Sequence, residues 1–574
     1  MVLQDFFKNF FNSFFEGFAL WRKSENHASL MSKLRTRIVF SGVCGVILFL
    51  CVSYRLANIM VINQFRHPYN ISYSKDEIVK KSDIVDRNGE LLATSLSTAS
   101  CYVDPSVVID PDDTALKLSK IAGFPDYNHI KQKLKDKNKH FVWITRHVTP
   151  QIQEKVFDLG LPGVKFQRDY KRIYIHGNLF SHVIGCSDID GNGVCGLEKQ
   201  YTDELFVKDV LPKKLVTTLD LRIQSIIYEE LNAAIEKFSA EGGNAILMSV
   251  DGQVLAMVSL PDFDPNNLKS SSSDAMFNRN TLGSFEQGSI LKILNTAIAL
   301  DSGSATLGSR FDATAPIKIG RFSIKDFKGK NRPLTLAEAF VFSSNIASAK
   351  IAQVFGPTIQ KKYMEKFGML GKPKIELPEL GHSIVPTNWT ETTCMTVSYG
   401  YGLAVTPLQL LTAITSIVND GIKVTPTLIY GKSHKSSKKL HLVSSKTSET
   451  IRDLMRAVVC FGTGKKASVD GVEIFGKTGT AYKLSGKGYG SDGNRKRITT
   501  FLGGFPKNKP EYMLLISLDN PKATSETFGY ATAGWNIAPT ARNVFNRIVP
   551  ILYDGQNDDS NSELKVVKYL KLDK

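Results

Sequence analysis

The sequence lacks the signatures that would fix its class at once. It has no C-x-x-C pair, no H-E-x-x-H and no zinc-finger spacing, so no ordinary metal centre is expected. No RNA-binding signature or basic heptad arm occurs, which makes nucleic acid a poor match for the chain's charge. Cysteine is scarce, at seven in 574 residues. Cys44 and Cys51 fall in an apolar run and pass there as small hydrophobes. Cys186 and Cys195 flank "SDIDGNGV", a polar turn across which they could face each other. Two free thiols fit that position, and so does a disulfide in an oxidising compartment. Acidic residues are outnumbered 55 to 72 by basic ones, giving a formal charge of +17. That charge implies attraction to a polyanion: nucleic acid, an anionic membrane surface or a bacterial wall. A chain of this length has room for two or more domains.

Long apolar runs are nearly absent too. The exception, Ile38 to Tyr54, carries no charge and is about the length needed to cross a bilayer. A cleavable signal peptide would have a shorter leader and a small-residue cleavage site, and neither is present. Arg22, Lys23, Lys33, Arg35 and Arg37 crowd its N-terminal side, against Arg55 and Arg66 beyond it. This asymmetry predicts an N-terminus inside and a large extracytoplasmic body. Upstream, Phe7, Phe11, Phe14 and Phe18 recur at helical spacing, as in an amphipathic helix on the inner membrane face or against a partner's spans. The expected organisation is a cytoplasmic segment over 1–37, an anchor over 38–62, an accessory domain over 63–215, a second domain over 216–555 and a polar tail over 556–574. The accessory region reads as turn-rich and β-rich, with a turn at Asp86-Arg87-Asn88-Gly89. In the second domain, Asp251-Gly252 between two apolar runs predicts a hairpin. Strands return at Met513 to Asp519, which suggests one sheet assembled from distant segments and packed by helices.

Three short motifs carry chemistry. In "FEQGSILKI", Ser289 and Lys292 open an apolar helix at a spacing that puts both on one face. A serine is a weak nucleophile until a base takes its proton, and a desolvated lysine can do so. Ser72/Lys75 and Ser436/Lys439 match the same pattern but have no apolar helix behind them. In "FVFSSNIASAKIA", Ser343 and Asn345 could face one cleft, or one of them could simply cap the following helix. "GVEIFGKTGT" fits the phosphate-binding pattern G-x-x-x-x-G-K-[ST] letter for letter. Yet "VEIF" alternates as a strand where the loop should be, and Gly479 stands where the helix should begin. A strand carrying Lys477, Thr478, Gly479 and Thr480 fits better, with glycine allowing close backbone approach.

With all three motifs in order, the chain resembles the penicillin-recognising serine acyltransferases, in particular class B penicillin-binding proteins of the cell-division (FtsI) type. "DRNGELLATSL", "GLEKQYTDEL", "TLDLRIQ", "SYGYGLAVTPLQLL" and "GTGKKA" extend the likeness. Gln287 replaces the commoner proline before Gly-Ser, and Ile290-Leu291 the usual Thr-Phe. The resemblance implies an α+β fold, with a central antiparallel sheet flanked by helices. A β-rich pedestal domain and one transmembrane helix would precede it. It implies a peptidoglycan D,D-transpeptidase of the inner membrane that builds the septal wall and is a target of β-lactams. Ser289, Lys292, Ser343 and Lys477 would be catalytic, and Asn345, Thr478, Gly479 and Thr480 would bind substrate, without metal or cofactor. Expected partners are donor and acceptor stem peptides, a membrane-embedded glycan polymerase of the FtsW type and other division proteins. An elongation-type relative and a non-catalytic division scaffold are the alternatives.

Overall fold

The computed structural model describes residues 30–57, 80–206, 214–320, 322–432, 440–483, 495–553 and 564–571. The chain divides into two compact units, 1–77 and 78–574. In the first, helix α1 (Leu30–Ala57) contains a stretch of 19 residues, Arg37–Arg55, with mean hydropathy 2.0 and none of it buried. It is long and apolar enough to cross a membrane. The phenylalanine stripe lies outside the described residues.

The second unit opens with a small sheet of β1 (Ile84–Val85), β2 (Leu91–Val103), β3 (Val142–Val148) and β4 (Val164–Tyr174). Strands β2 and β4 pair antiparallel from Ala93 to Val103. The predicted turn is present: Asp86 Oδ1 accepts from the N–H groups of Asn88 (2.8 Å) and Glu90 (2.9 Å), and Gly89 takes φ +92°. The other Asp86 oxygen accepts from Leu221 N at 3.1 Å, tying this sheet to the first helix of the segment that follows. A short hairpin, β5 (Cys186–Ser187) and β6 (Gly193–Cys195), leads into helix α2 (Gly196–Gln200). From α2, Glu198 accepts from Lys81 (2.8 Å) and Arg172 (2.6 Å), with all three side chains buried. Strand β7 (Leu215–Val216) then runs parallel to β1.

The larger segment that follows is built on one antiparallel sheet. Helix α3 (Leu221–Lys237) precedes β8 (Gly242–Ser249) and β9 (Val254–Leu260), joined at Asp251-Gly252 with Gly252 at φ +100°. The remaining strands, β10 (Phe475–Tyr482), β11 (Arg497–Phe505) and β12 (Tyr512–Asp519), come from far along the chain, and the order is β10-β11-β12-β8-β9. Successive side chains of a strand point to opposite faces. Accordingly Ala245, Leu247, Leu514 and Ile516 join one core with Ile223, Ile227 and Leu231 of α3 and Val544, Phe545 and Ile548 of the C-terminal helix. Ile246, Met248, Met513 and Leu515 join the other, with Ile293, Leu294 and Ile298. Burial on both faces explains why these strands read as unbroken apolar runs.

The segment expected as a polar tail carries a docked end. Val566 is buried, Thr335 Oγ1 donates to the Tyr569 carbonyl at 2.9 Å, and Lys571 N donates to Glu338 at 3.0 Å. The apolar residues of "LKVVKYL" supply the contact that the polar stretch before them conceals in the sequence.

Candidate active site

Ser289 lies on a 3₁₀ turn, Gly288–Leu291, and Lys292 is the first residue of helix α4 (Lys292–Asp301). The sequence suggested that both residues were already helical. The tighter turn instead brings residues three apart into register. Gly288 takes φ +53°, and a Cβ there would meet the Thr480 carbonyl oxygen at 2.6 Å. From the other side Gly400, in "SYGYG", has its Cβ position 1.9 Å from Gly288 O, so this turn is gripped by backbone on two sides. Ser289 is half-buried and lines the cleft, and among the described residues its hydroxyl has no hydrogen-bond partner.

Ser343 and Asn345 bracket the start of helix α5 (Asn345–Lys366). The capping role falls to the residue between them: Ser344 Oγ accepts from Ala347 N at 3.0 Å. That leaves the neighbours free for the cleft. Ser343 sits at φ +60°, in the left-handed region that side-chain-bearing residues rarely take. Asp326 secures the turn, accepting from Ser344 Oγ at 2.7 Å and from the N–H groups of Asn345 (2.5 Å) and Ile346 (3.0 Å). Nothing in the sequence marked Asp326, a lone acid in a lysine-rich loop.

The phosphate-loop alternative fails, because Gly476 to Thr480 lie within strand β10. This is an edge strand of the sheet, so alternate backbone groups along its free side are not spent on the ladder. A Cβ on Gly479 would meet Ile290 Cγ1 at 2.7 Å and the Gln287 carbonyl at 2.8 Å, so glycine lets β10 close onto the serine turn. On the opposite face, Thr478 Oγ1 lies 2.6 Å from Thr463 Oγ1 and Thr480 Oγ1 accepts from Ala533 N at 3.1 Å.

The motifs meet at Ser343. Its hydroxyl oxygen is 3.1 Å from Lys292 Nζ and 3.0 Å from Lys477 Nζ, and Lys292 also donates to Asn345 Oδ1 at 2.8 Å. Both ammonium groups are buried under the cleft floor. Desolvation, and then the charge of Lys477, push the pKa of Lys292 well below the ordinary lysine value, against a smaller opposing pull from Asp326. Desolvation brings Lys477 down to about 7. Burial, and for Lys292 a second cation beside it, disfavours the protonated form of both amines.

Above them opens a cleft of about 640 Å³ that includes Ser289, Ser343, Asn345, Thr478 and Thr480. Its far wall is aromatic. Tyr530 stacks on Trp535 with centroids 5.7 Å apart, and Lys466 Nζ lies 3.4 Å from the Trp535 ring centre. The sequence marked Lys466 through "GTGKKA" but left Tyr530 and Trp535 unmarked, since isolated aromatics in a glycine-rich loop form no pattern. Among the described residues no cluster of three or more His, Cys, Asp or Glu could hold a metal. The arrangement suits acyl transfer: an unencumbered hydroxyl in the cleft, a buried amine of lowered pKa three residues on, a hydroxyl bridging to a second amine, and room for a substrate.

Residues 243–545 match the model of the penicillin binding protein transpeptidase domain, and 79–209 that of the penicillin-binding protein dimerisation domain. Over 486 residues the chain is 33% identical to the probable peptidoglycan D,D-transpeptidase FtsI of Caulobacter vibrioides, covering 82% of this chain and 81% of that one. It is 27% identical over 558 residues to the peptidoglycan D,D-transpeptidase FtsI of Escherichia coli, covering 88% and 90%. The fold matches that of penicillin binding protein 3 from Mycobacterium tuberculosis, solved with aztreonam, at TM-score 0.65 and 24% identity over 83% of this chain and 96% of that one.

Proposed function

The chain belongs to the penicillin-binding protein transpeptidases, and from that premise we propose that it cross-links peptidoglycan stem peptides through an acyl-serine, as a D,D-transpeptidase of the cell-division type. The observation that carries the proposal is the convergence of Lys292 and Lys477 on the Ser343 hydroxyl, beside a cleft that Ser289 lines. Ser289 Oγ attacks the carbonyl carbon of the penultimate D-alanine while neutral Lys292 accepts its proton. The N–H groups of Ser289 and Thr480 hold the oxyanion; one such donor is typically worth about 100- to 1000-fold in rate. Ser343 passes a proton to the departing D-alanine amine, and Asn345 holds a substrate amide. Lys477, Thr478 and Thr480 receive the terminal carboxylate, and Gly479 lets the strand approach. An amine from a second stem then takes the acyl group and restores the serine. A β-lactam carries a carboxylate and a strained amide, so it would acylate Ser289 in the same way.

The proposal extends to topology and setting. Helix α1 is the single membrane span, with the basic cluster before it inside the cell and residues 63–574 outside. Residues 63–215 form the accessory domain and 216–555 the transpeptidase domain. A membrane-embedded glycan polymerase of the FtsW type supplies the strands to be joined. Labelling of membranes with a fluorescent penicillin tests the nucleophile: Ser289→Ala abolishes the labelled band and Ser436→Ala leaves it intact. A band that survives Ser289→Ala sinks the assignment.

A further inference from the structure

Cys186 and Cys195 take no part in the chemistry proposed above. They are Cα partners in the antiparallel pair β5–β6, and their sulfur atoms lie 3.1 Å apart. A disulfide requires facing Cα atoms and sulfurs about 1 Å closer than this. Backbone packs closely around the hairpin on both strands. A Cβ on Gly185 would meet the Cys195 carbonyl oxygen at 1.9 Å, and one on Gly193 the Glu198 carbonyl oxygen at 2.0 Å. No third ligand converts the pair into a metal site, since no such cluster exists among the described residues.

We propose that Cys186 and Cys195 are closed into a disulfide by a dithiol-oxidising exchange protein of the extracytoplasmic compartment, and that this bond clasps the corner where the accessory and catalytic segments meet. The inference rests on the topology proposed above. Cys195 is partly exposed and Cys186 is buried, which sets the order of events. The Cys195 thiolate attacks the oxidant's disulfide, forms a mixed disulfide and releases one of the oxidant's thiolates. The Cys186 thiolate then attacks Cys195 Sγ and displaces the oxidant's second thiolate. Two protons leave the protein and two electrons reduce the oxidant to its dithiol. The corner matters because Gly196 N donates to the Glu379 carboxylate at 3.2 Å, and α2 carries Glu198 into its buried cluster with Lys81 and Arg172.

The test counts thiols on the full-length chain in cells, quenched with acid, unfolded and tagged with polymer-linked maleimide. Of the seven cysteines, all but this pair are expected to tag without reductant, and all seven after it. In Cys186→Ser and Cys195→Ser every remaining cysteine tags, with or without reductant. A strain deprived of its dithiol-oxidising protein yields the fully tagged wild type. A C-terminal reporter active only outside the cytoplasm reads the topology independently. Full tagging without reductant while that reporter is active overturns the disulfide; full tagging with the reporter silent overturns the topology and the disulfide with it. Fluorescent-penicillin labelling, measured alongside, tracks the transpeptidase proposal separately.

Discussion

Ser343 holds an unfavourable backbone conformation so that its hydroxyl can touch two buried lysines at once. Replacing it with alanine keeps the turn and removes the bridge, so acylation is expected to fall about 100- to 10,000-fold with little loss of folding, read by stopped-flow penicillin binding and thermal melts. The lysines predict a pH profile. A base acts when neutral, so acylation rises with pH as Lys292 loses its proton, and its lowered pKa puts that rise on the acid side of an ordinary lysine. A carboxylate anchor acts when charged, so kcat/KM for a penicillin falls again as pH passes the Lys477 value of about 7. Lys477→Arg keeps its charge throughout, and the alkaline limb is expected to disappear. The same shift enters stability with a definite sign. Unfolded Lys477 holds its proton up to about pH 10.4, so burial costs most below pH 7 and less at each step between those values. At this scale Ser289, the lysines and Asn345 could be singled out in the sequence because each motif packs its residues into three or four letters. Asp326 was not, because what identifies it is a contact with Ser344 made through folding, with no local pattern.

Strand β10 and the Ser289 turn touch where neither can bear a side chain. Gly479→Ala places a methyl where Ile290 and the Gln287 carbonyl already stand, at 2.7 and 2.8 Å. The edge strand must then move away from the Ser289 turn. A misplacement of about 1 Å costs on the order of 100-fold in rate, so penicillin acylation is expected to drop by that much while the protein still folds. Asp326→Ala strips three hydrogen bonds from the entrance to α5. Loss of a helix cap costs about 0.5–2 kcal/mol, and the melting point should fall together with the acylation rate. The sheet itself was legible, because strands buried on both faces leave apolar runs and Asp251-Gly252 marks its hairpin. The 3₁₀ start of the Ser289 segment was not. Helical periodicity is identical on either side of it, and only the backbone pressure from Thr480 and Gly400 reveals the tighter turn.

Across residues 78–574, Asp86 and Glu379 tie the accessory segment to the one that follows, accepting from Leu221 N and Gly196 N, and a buried polar cluster braces the accessory side. Glu198 is buried with two cations, so Glu198→Ala leaves Lys81 and Arg172 unpaired. Removing one partner of a buried ion pair costs about 3–5 kcal/mol, a loss measurable by chemical denaturation. The apolar helix over Arg37–Arg55 was legible from hydropathy. The docked end around Val566 was hidden by the polar stretch before it. The central sheet has one further consequence. Strands β8 and β9 precede Ser289, whereas β10, β11 and β12 are the last strands to be synthesised. Pairings between such distant stretches form late, because the intervening loop must close first. A chain still emerging from the ribosome therefore carries its serine and first lysine with no sheet edge to set them against. Until Asp519 has been translated, the sheet that sets Lys477 against Ser343 is incomplete, so a penicillin present during synthesis is expected to react only with finished copies.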